Sequence, residues 1–273
     1  SSLLMNDISW LFDLFNKNKD KISIIYDNKK YTYLELINNI DYYMIFLKKQ
    51  NIFSGQIIAI NSDYSFQSIS LFFALVKNKN VIVPIISNVE NEVISKLKAV
   101  KADFLITFKN DKAWCKNQNT GVEKHKLIQK LQKLGNSGLI LFSSGSTGEP
   151  KAMLHDFDNL HSIYKDKKQK YINTLIFLTF DHIGGIDTML RIFSITGTIT
   201  IPNTRQPEEI CKIIEQYNVN VLPSSPTFLN LLLIGKFHNK YDLHSLEIIS
   251  FGAEPMPDSL LKRLNKEFPH VAL

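Results

Sequence analysis

A chain of 273 residues, 44% hydrophobic and 21% charged, can bury most of its apolar surface without disulfides or metal, which excludes a disordered or stapled mini-protein. The two cysteines, Cys115 and Cys211, lie far apart with no CxxC pair; this excludes a disulfide scaffold or cysteine-based zinc site and fits a reducing cytoplasm. Thirty-two Lys+Arg against 26 Asp+Glu give +6, but the lysines are scattered and the densest run, 165–170, contains Asp166 and no aromatic, so no nucleic-acid-binding module is expected. No apolar run approaches the ~18 residues of a membrane span, and no signal peptide is visible.

Short β-branched runs alternate with segments of helical period along the chain. The pattern predicts a helix over 34–49, a strand over 57–60, a helix over 66–77 and a strand over 81–85. A helix over 90–100 and a strand over 104–107 follow. Residues 109–138 are polar, with only a short helical pattern at 126–134. Beyond them come strands over 139–142, 152–155, 175–178 and 198–201, a helix over 207–217, a strand over 219–222, a helix over 227–234, a strand over 247–250 and a helix over 258–268. Thr32 and Glu35 have the spacing of a capping box and set the start of the first helix. Strands that alternate with helices need crossovers, so the fold class is α/β, with largely parallel sheets and helices on both faces. The polar stretch reads as a junction between two α/β lobes, 1–137 and 138–273.

Glycine is scarce, 11 of 273, or about 4% against a usual ~7%, so its clustering is informative. Gly145 and Gly148 fall in FSSGSTGEPK, residues 142–151, directly after a strand. Small residues leave the backbone N–H groups of this loop open, the hydroxyls of Ser143, Ser144, Ser146 and Thr147 add donors, and Lys151 adds a positive charge. Such a loop grips phosphate. It is not a Walker A loop, because Pro150 and Ala152 stand where that pattern needs glycine and a hydroxyl residue, and a strand rather than a helix follows. A P-loop NTPase or kinase is therefore disfavoured. A plain Ser/Gly-rich surface turn would not need Pro150 and Lys151 at this spacing.

The segment 142–151 resembles the signature loop of the adenylate-forming superfamily, which includes acyl-CoA synthetases, firefly luciferase and peptide-synthetase adenylation domains. Only Ala152 departs from it, where the family has glycine. Four further segments resemble family motifs in the same order: YTYLEL at 31–36, TFDHIGG at 179–185, SSPTF at 224–228 and FGAEPMP at 251–257.

The resemblance implies ATP-dependent activation of a carboxylic acid as an acyl-adenylate, then transfer to a thiol of coenzyme A or of a carrier protein's phosphopantetheine. It implies ATP and Mg²⁺ as cofactors. Phosphate binding falls to Ser143, Ser144, Gly145, Ser146, Thr147, Gly148 and Lys151, and the adenine side to Gly252, Ala253 and Glu254. The substrate pocket falls to Phe180, Asp181, His182, Gly184, Gly185, Ser225 and Pro226, with Lys151 and His182 as catalytic residues. In acyl and aryl ligases a histidine in this motif lies beside the reacting carboxylate, and the spacing from His182 to Gly185 favours that reading. In amino-acid-activating relatives an aspartate pairs with the substrate ammonium, and Phe180-Asp181 fits that alternative. A non-catalytic ATP-binding relative is the reading from another class. The other histidines show no metal spacing. The family's Tyr-Gly-x-Thr-Glu motif, which supplies the main Mg²⁺ ligand, its ribose-binding aspartate and its lysine-bearing C-terminal domain would lie beyond Leu273. The chain is thus read as a truncated N-terminal large domain, expected to adenylate poorly or not at all by itself.

Overall fold

The computed structural model describes residues 7–118, 121–143, 150–252 and 254–273. In strand β3 (Ile57–Asn61) successive side chains point to opposite faces. Ile58 and Ile60 enter the largest core cluster, while Ile57 and Ala59 enter another on the far side. A strand apolar on both faces needs cover on both, the setting of parallel sheets in α/β proteins. Accordingly β4 (Val81–Ile85) and β5 (Phe104–Lys109) flank β3 in parallel, and β7 (Gly138–Ser143) runs parallel to β4. Antiparallel β6 (Lys112–Asn117) and β8 (Lys151–Asp156) close the edges, giving the order β6-β5-β3-β4-β7-β8.

The second sheet also has six strands. β1 (Ile22–Tyr26), β2 (Lys29–Thr32), β9 (Asn173–Leu175), β10 (Thr198–Thr200), β11 (Val221–Ser224) and β12 (Ile248–Phe251) lie in the order β12-β11-β9-β10-β1-β2. All of its pairings are parallel except the β1–β2 hairpin.

Helices α1 (Ser9–Lys17), α2 (Tyr33–Lys49) and α3 (Phe66–Lys77) feed the largest cluster, which also takes Ile24 and Ile199 from the second sheet. Helix α3 is buried continuously from Ser68 to Val76, as expected of a helix that is apolar all round. The outer cluster of the first sheet is covered by α4 (Glu90–Val100) and α5 (Lys126–Leu134). A cluster on the second sheet is covered by α8 (Pro207–Tyr217), α9 (Pro226–Ile234) and α10 (Asp258–Glu267). Two more helices, α6 (Phe157–Ser162) and α7 (Ile183–Phe193), follow β8 and β9.

The Thr32–Glu35 capping box opens α2 with both reciprocal hydrogen bonds. The expected boundary at 137/138 does not divide the sheets. Strands β1 and β2 precede it yet pair into the second sheet, through Ile24 opposite Ile199. Strands β7 and β8 follow it yet complete the first. Nor is 109–138 a junction: it supplies β6 and α5 to the first sheet and its cover. Among the described residues no helix is long and apolar enough to cross a membrane. Burial pushes the Cys115 thiol up to about 11 and, with a contribution from Glu208, the Cys211 thiol up to about 12, so neither is a ready nucleophile.

Candidate active site

The segments singled out in the sequence follow the carboxyl ends of parallel strands, where open α/β sheets bind ligands. The phosphate-loop segment leaves β7, the 179–185 segment follows β9, Ser225 follows β11 and Gly252 follows β12.

Ser143 ends β7 and pairs in register with Lys151, the first residue of β8. Its hydroxyl donates to the Lys151 carbonyl at 3.4 Å. This antiparallel pair closes the loop at its base. Ser144, Gly145, Ser146, Thr147 and Gly148 lie outside the described residues, as does Ala253. The Lys151 side chain is exposed and makes no ion pair with a described residue. A hydroxyl and an ammonium at the base of a strand-to-strand loop are donors that suit a phosphate.

Between β9 and α7 the chain runs without regular structure. Asp181 Oδ1 accepts a hydrogen bond from the Thr179 hydroxyl at 2.6 Å. The N-cap of α7 is His182, whose Nδ1 accepts from the Gly184 N–H at 2.9 Å. A backbone N–H can only donate, so in the neutral ring the proton sits on Nε2, which is left as a donor.

Asp181, His182 and Ser143 line one cavity of about 370 Å³, together with Leu141, Phe142, Met153, His155 and Ile183. Histidine 155 has no metal spacing in the sequence and carried no expectation. The strand reading of 152–155 contains the missing signal, because period-two alternation puts Met153 and His155 on one face. Ala152 and Leu154, on the other, line a separate cavity.

Five of the seven expected pocket residues, Phe180, Gly184, Gly185, Ser225 and Pro226, do not line this cavity. Phe180 is fully buried, its ring stacked on Tyr64 at 4.4 Å, and so belongs to the core. Gly184 and Gly185 form the first turn of α7 and are not among the residues lining this cavity. A Cβ on Gly185 would lie 2.7 Å from the Thr179 carbonyl oxygen and 2.7 Å from the Tyr64 hydroxyl. Glycine is thus required for close approach of α7 to the preceding segment. Gly185→Ala should force the helix outward, at a cost of about 1–3 kcal/mol. For a chain of this size that lowers the melting temperature by roughly 2–4 °C per kcal/mol. A circular-dichroism melt unchanged from wild type would contradict this packing.

Ser225 caps α9, its hydroxyl accepting from the Phe228 N–H at 3.2 Å. Glu254 Oε1 accepts from both the backbone N–H and the hydroxyl of Thr227, each at 2.8 Å. The backbone hydrogen bond, then the hydroxyl one, holds the Glu254 carboxyl below its ordinary value. Pro226 and Glu254 line a second cavity of about 470 Å³, distinct from the one around His182. Gly252 is exposed, with nothing among the described residues within 4 Å of a Cβ built on it, which leaves room for a flat group against the backbone. Among the described residues no group of three metal-binding side chains converges.

Residues 12–273 match the family described as AMP-binding enzyme. The chain belongs to that family. It is similar to "4-coumarate--CoA ligase-like 9" of Arabidopsis thaliana, 30% identical over 140 residues, 48% of this chain and 25% of that protein. It is also similar to "D-alanine--D-alanyl carrier protein ligase" of Bacillus licheniformis, 28% identical over 139 residues, 48% of this chain and 28% of that protein. The matched regions thus span about a quarter of the length of these relatives. The fold is shared with the N-terminal domain of FACL13 from Mycobacterium tuberculosis, solved with an inhibitor bound. The TM-score is 0.79 at 17% identity, covering 96% of this chain and 73% of that one.

Proposed function

We propose that this AMP-binding chain binds ATP and a small carboxylic acid and takes part in forming an acyl-adenylate, which a thiol then captures. The observation that carries this reading is the shared cavity. Ser143, at the base of the phosphate loop, and His182, in the motif expected beside the substrate carboxylate, line the same space of about 370 Å³. Charge builds on the departing pyrophosphate as a carboxylate oxygen attacks the α-phosphorus of ATP. Loop donors and the Lys151 ammonium are suited to stabilise it. His182, with its proton on Nε2, is suited to donate to a carboxylate oxygen. Gly252 and Glu254 are assigned to the adenine side, and Mg²⁺ accompanies the ATP.

A fatty or aryl acid is favoured, because Leu141, Phe142, Met153 and Ile183 supply apolar walls. An amino acid is the second reading. Asp181 lines the same cavity, and its Oδ2 has no hydrogen-bond partner among the described residues. The acceptor is coenzyme A or a carrier-protein phosphopantetheine; the two relatives named above are a CoA ligase-like protein and a carrier-protein ligase.

Acid-dependent ATP–pyrophosphate exchange on the complete protein, with fatty, aryl and amino acids, tests this reading. Exchange with a fatty or aryl acid is expected to fall about 10²-fold in His182→Ala and to survive in Asp181→Asn. Exchange with amino acids alone, lost in Asp181→Asn, would establish the second reading. ATP binding without exchange for any acid would overturn both in favour of a non-catalytic relative.

A further inference from the structure

The segment that carries Asp181 and His182 has no sheet or helix partners of its own, yet its backbone polar groups must be satisfied. Two side chains from opposite sheets do this. Asp63, just beyond β3 in the first sheet, accepts the Phe180 N–H on Oδ1 at 3.2 Å. The same oxygen accepts the Tyr64 N–H at 2.8 Å. Arg205, beyond β10 in the second sheet, donates from Nε to the Phe177 carbonyl. The two clamp arms join each other: Arg205 Nη1 lies 3.0 Å from Asp63 Oδ2. The Phe180 ring is stacked on Tyr64, the residue after Asp63, at an interplanar angle of 15°.

The anchors hold Phe177, before the turn in which the His182 N–H bonds to the Thr179 carbonyl at 3.1 Å, and Phe180, inside it. His182 then caps α7. We propose that Asp63 and Arg205 are positioning residues: joined across the two sheets, they hold the 177–182 segment so that His182 keeps Nδ1 on the Gly184 N–H and presents its Nε2 proton to the cavity. Neither side chain lines that cavity, so each acts through the segment. A fork that bonds one carbonyl and one carboxylate together is available to arginine and not to lysine.

The catalytic arm of this inference rests on the role proposed for His182, whereas the geometric arm does not. The test therefore reads both on the complete protein. Nitrogen-15 NMR of the imidazoles, with the His182 signals assigned by their loss in His182→Ala, should show Nε2 protonated and Nδ1 as acceptor in wild type. Arg205→Ala and Asp63→Asn should lose that fixed tautomer and show averaged ring-nitrogen shifts. Arg205→Lys, which keeps the charge opposite Asp63, provides the reading if Arg205→Ala does not fold. In pyrophosphate exchange Arg205→Ala should lower kcat roughly tenfold with little change in the KM for ATP. In a His182→Ala background it should have almost no further effect, because both changes act on one group. A fixed wild-type tautomer in all folded variants would overturn the proposal. Equal kcat losses with and without His182 would also overturn it. A tautomer that responds to the clamp in a protein that exchanges with no acid would support the clamp and reject the proposed function.

Discussion

Lys151→Ala is expected to lower acid-dependent pyrophosphate exchange by about 10²–10³-fold, the usual loss when one preorganised donor is removed from developing charge. The fold should not change. Lys151 begins β8, its side chain is exposed, and its ladder partner Ser143 is reached through backbone groups and a carbonyl that alanine retains. The melting temperature should therefore stay within about 1–2 °C of wild type, since exposed substitutions of this kind fall within ±0.5 kcal/mol. Because the ammonium is assigned to charge that builds on pyrophosphate, the loss should fall on kcat more than on the KM for the acid. Unchanged exchange, measured on folded protein, would remove Lys151 from the phosphate site.

Asp158→Ala should produce the largest loss of stability. Its carboxylate is fully buried on α6, where Oδ2 accepts from Lys79 Nζ at 2.6 Å and from the Ser137 N–H at 3.1 Å. Oδ1 accepts from the Ser137 hydroxyl at 2.6 Å and faces His161 Nε2 at 3.2 Å. The indole N–H of Trp10 donates to His161 Nδ1 at 3.1 Å, so the ring proton belongs on Nε2 and points at Asp158. This network ties α1, the turn after α3 and the entry to β7 to one carboxylate. Removing it leaves Ser137 and His161 without their buried acceptor and Lys79, among the described residues, with only Asp7 at 4.0 Å, at a cost of about 3–5 kcal/mol. At roughly 2–4 °C per kcal/mol the melting temperature falls by about 10 °C.

The same group gives a pH signature. Burial alone would raise the Asp158 carboxyl, but the hydrogen bonds from His161, Lys79 and Ser137, with the Lys79 charge, prevail and hold it below its ordinary value. A depressed carboxyl contributes stability that is present above the unfolded value, about 3.9. It is lost as pH falls through the lower folded value. Wild type should thus lose this contribution below about pH 4, and Asp158→Ala should show a flatter melting-temperature profile there. A variant that melts with wild type at pH 7 would show that the network is not stabilising.

Local pattern carried much of the fold. Residues 66–77, 81–85, 90–100 and 207–217 occur with the predicted bounds, because each is a continuous apolar run or has a single helical period. What stayed hidden depends on long-range pairing. Lys112–Asn117 shows no clean apolar alternation and becomes a strand only opposite β5. The turn between them, Asn110 and Asp111, takes left-handed φ values of 50° and 62°, the geometry of a type I′ hairpin. Asp27 and Asn28 repeat it at 50° and 62° between β1 and β2, an early hairpin that local apolar pattern did not reveal. Strand β9 ends at Leu175 instead of continuing to 178, since Phe177 gives its carbonyl to Arg205 and packs its ring against Phe228.

At the site, Asp181 and His182 were legible from the motif, and the cavity they line with Ser143 lies where the strand ends converge. Their division of labour was not. Either residue could cap α7 on paper; the Gly184 hydrogen bond gives that task to His182 and leaves Asp181 to Thr179. Phe180 directly precedes the pocket residues Asp181 and His182 but turns inward onto Tyr64, which single-residue spacing in an irregular segment does not reveal. Asp63 and Arg205 lie 142 positions apart, with no motif to join them.

The most direct test of the central claim follows one oxygen atom. The complete protein is supplied with ATP, a thiol acceptor and the acid that supports exchange, with both carboxylate oxygens labelled as ¹⁸O. Attack of that carboxylate on the α-phosphorus, then thiol attack on the acyl carbon, predicts one ¹⁸O in each AMP recovered. Unlabelled AMP, or ADP as the nucleotide product, would contradict activation through an acyl-adenylate.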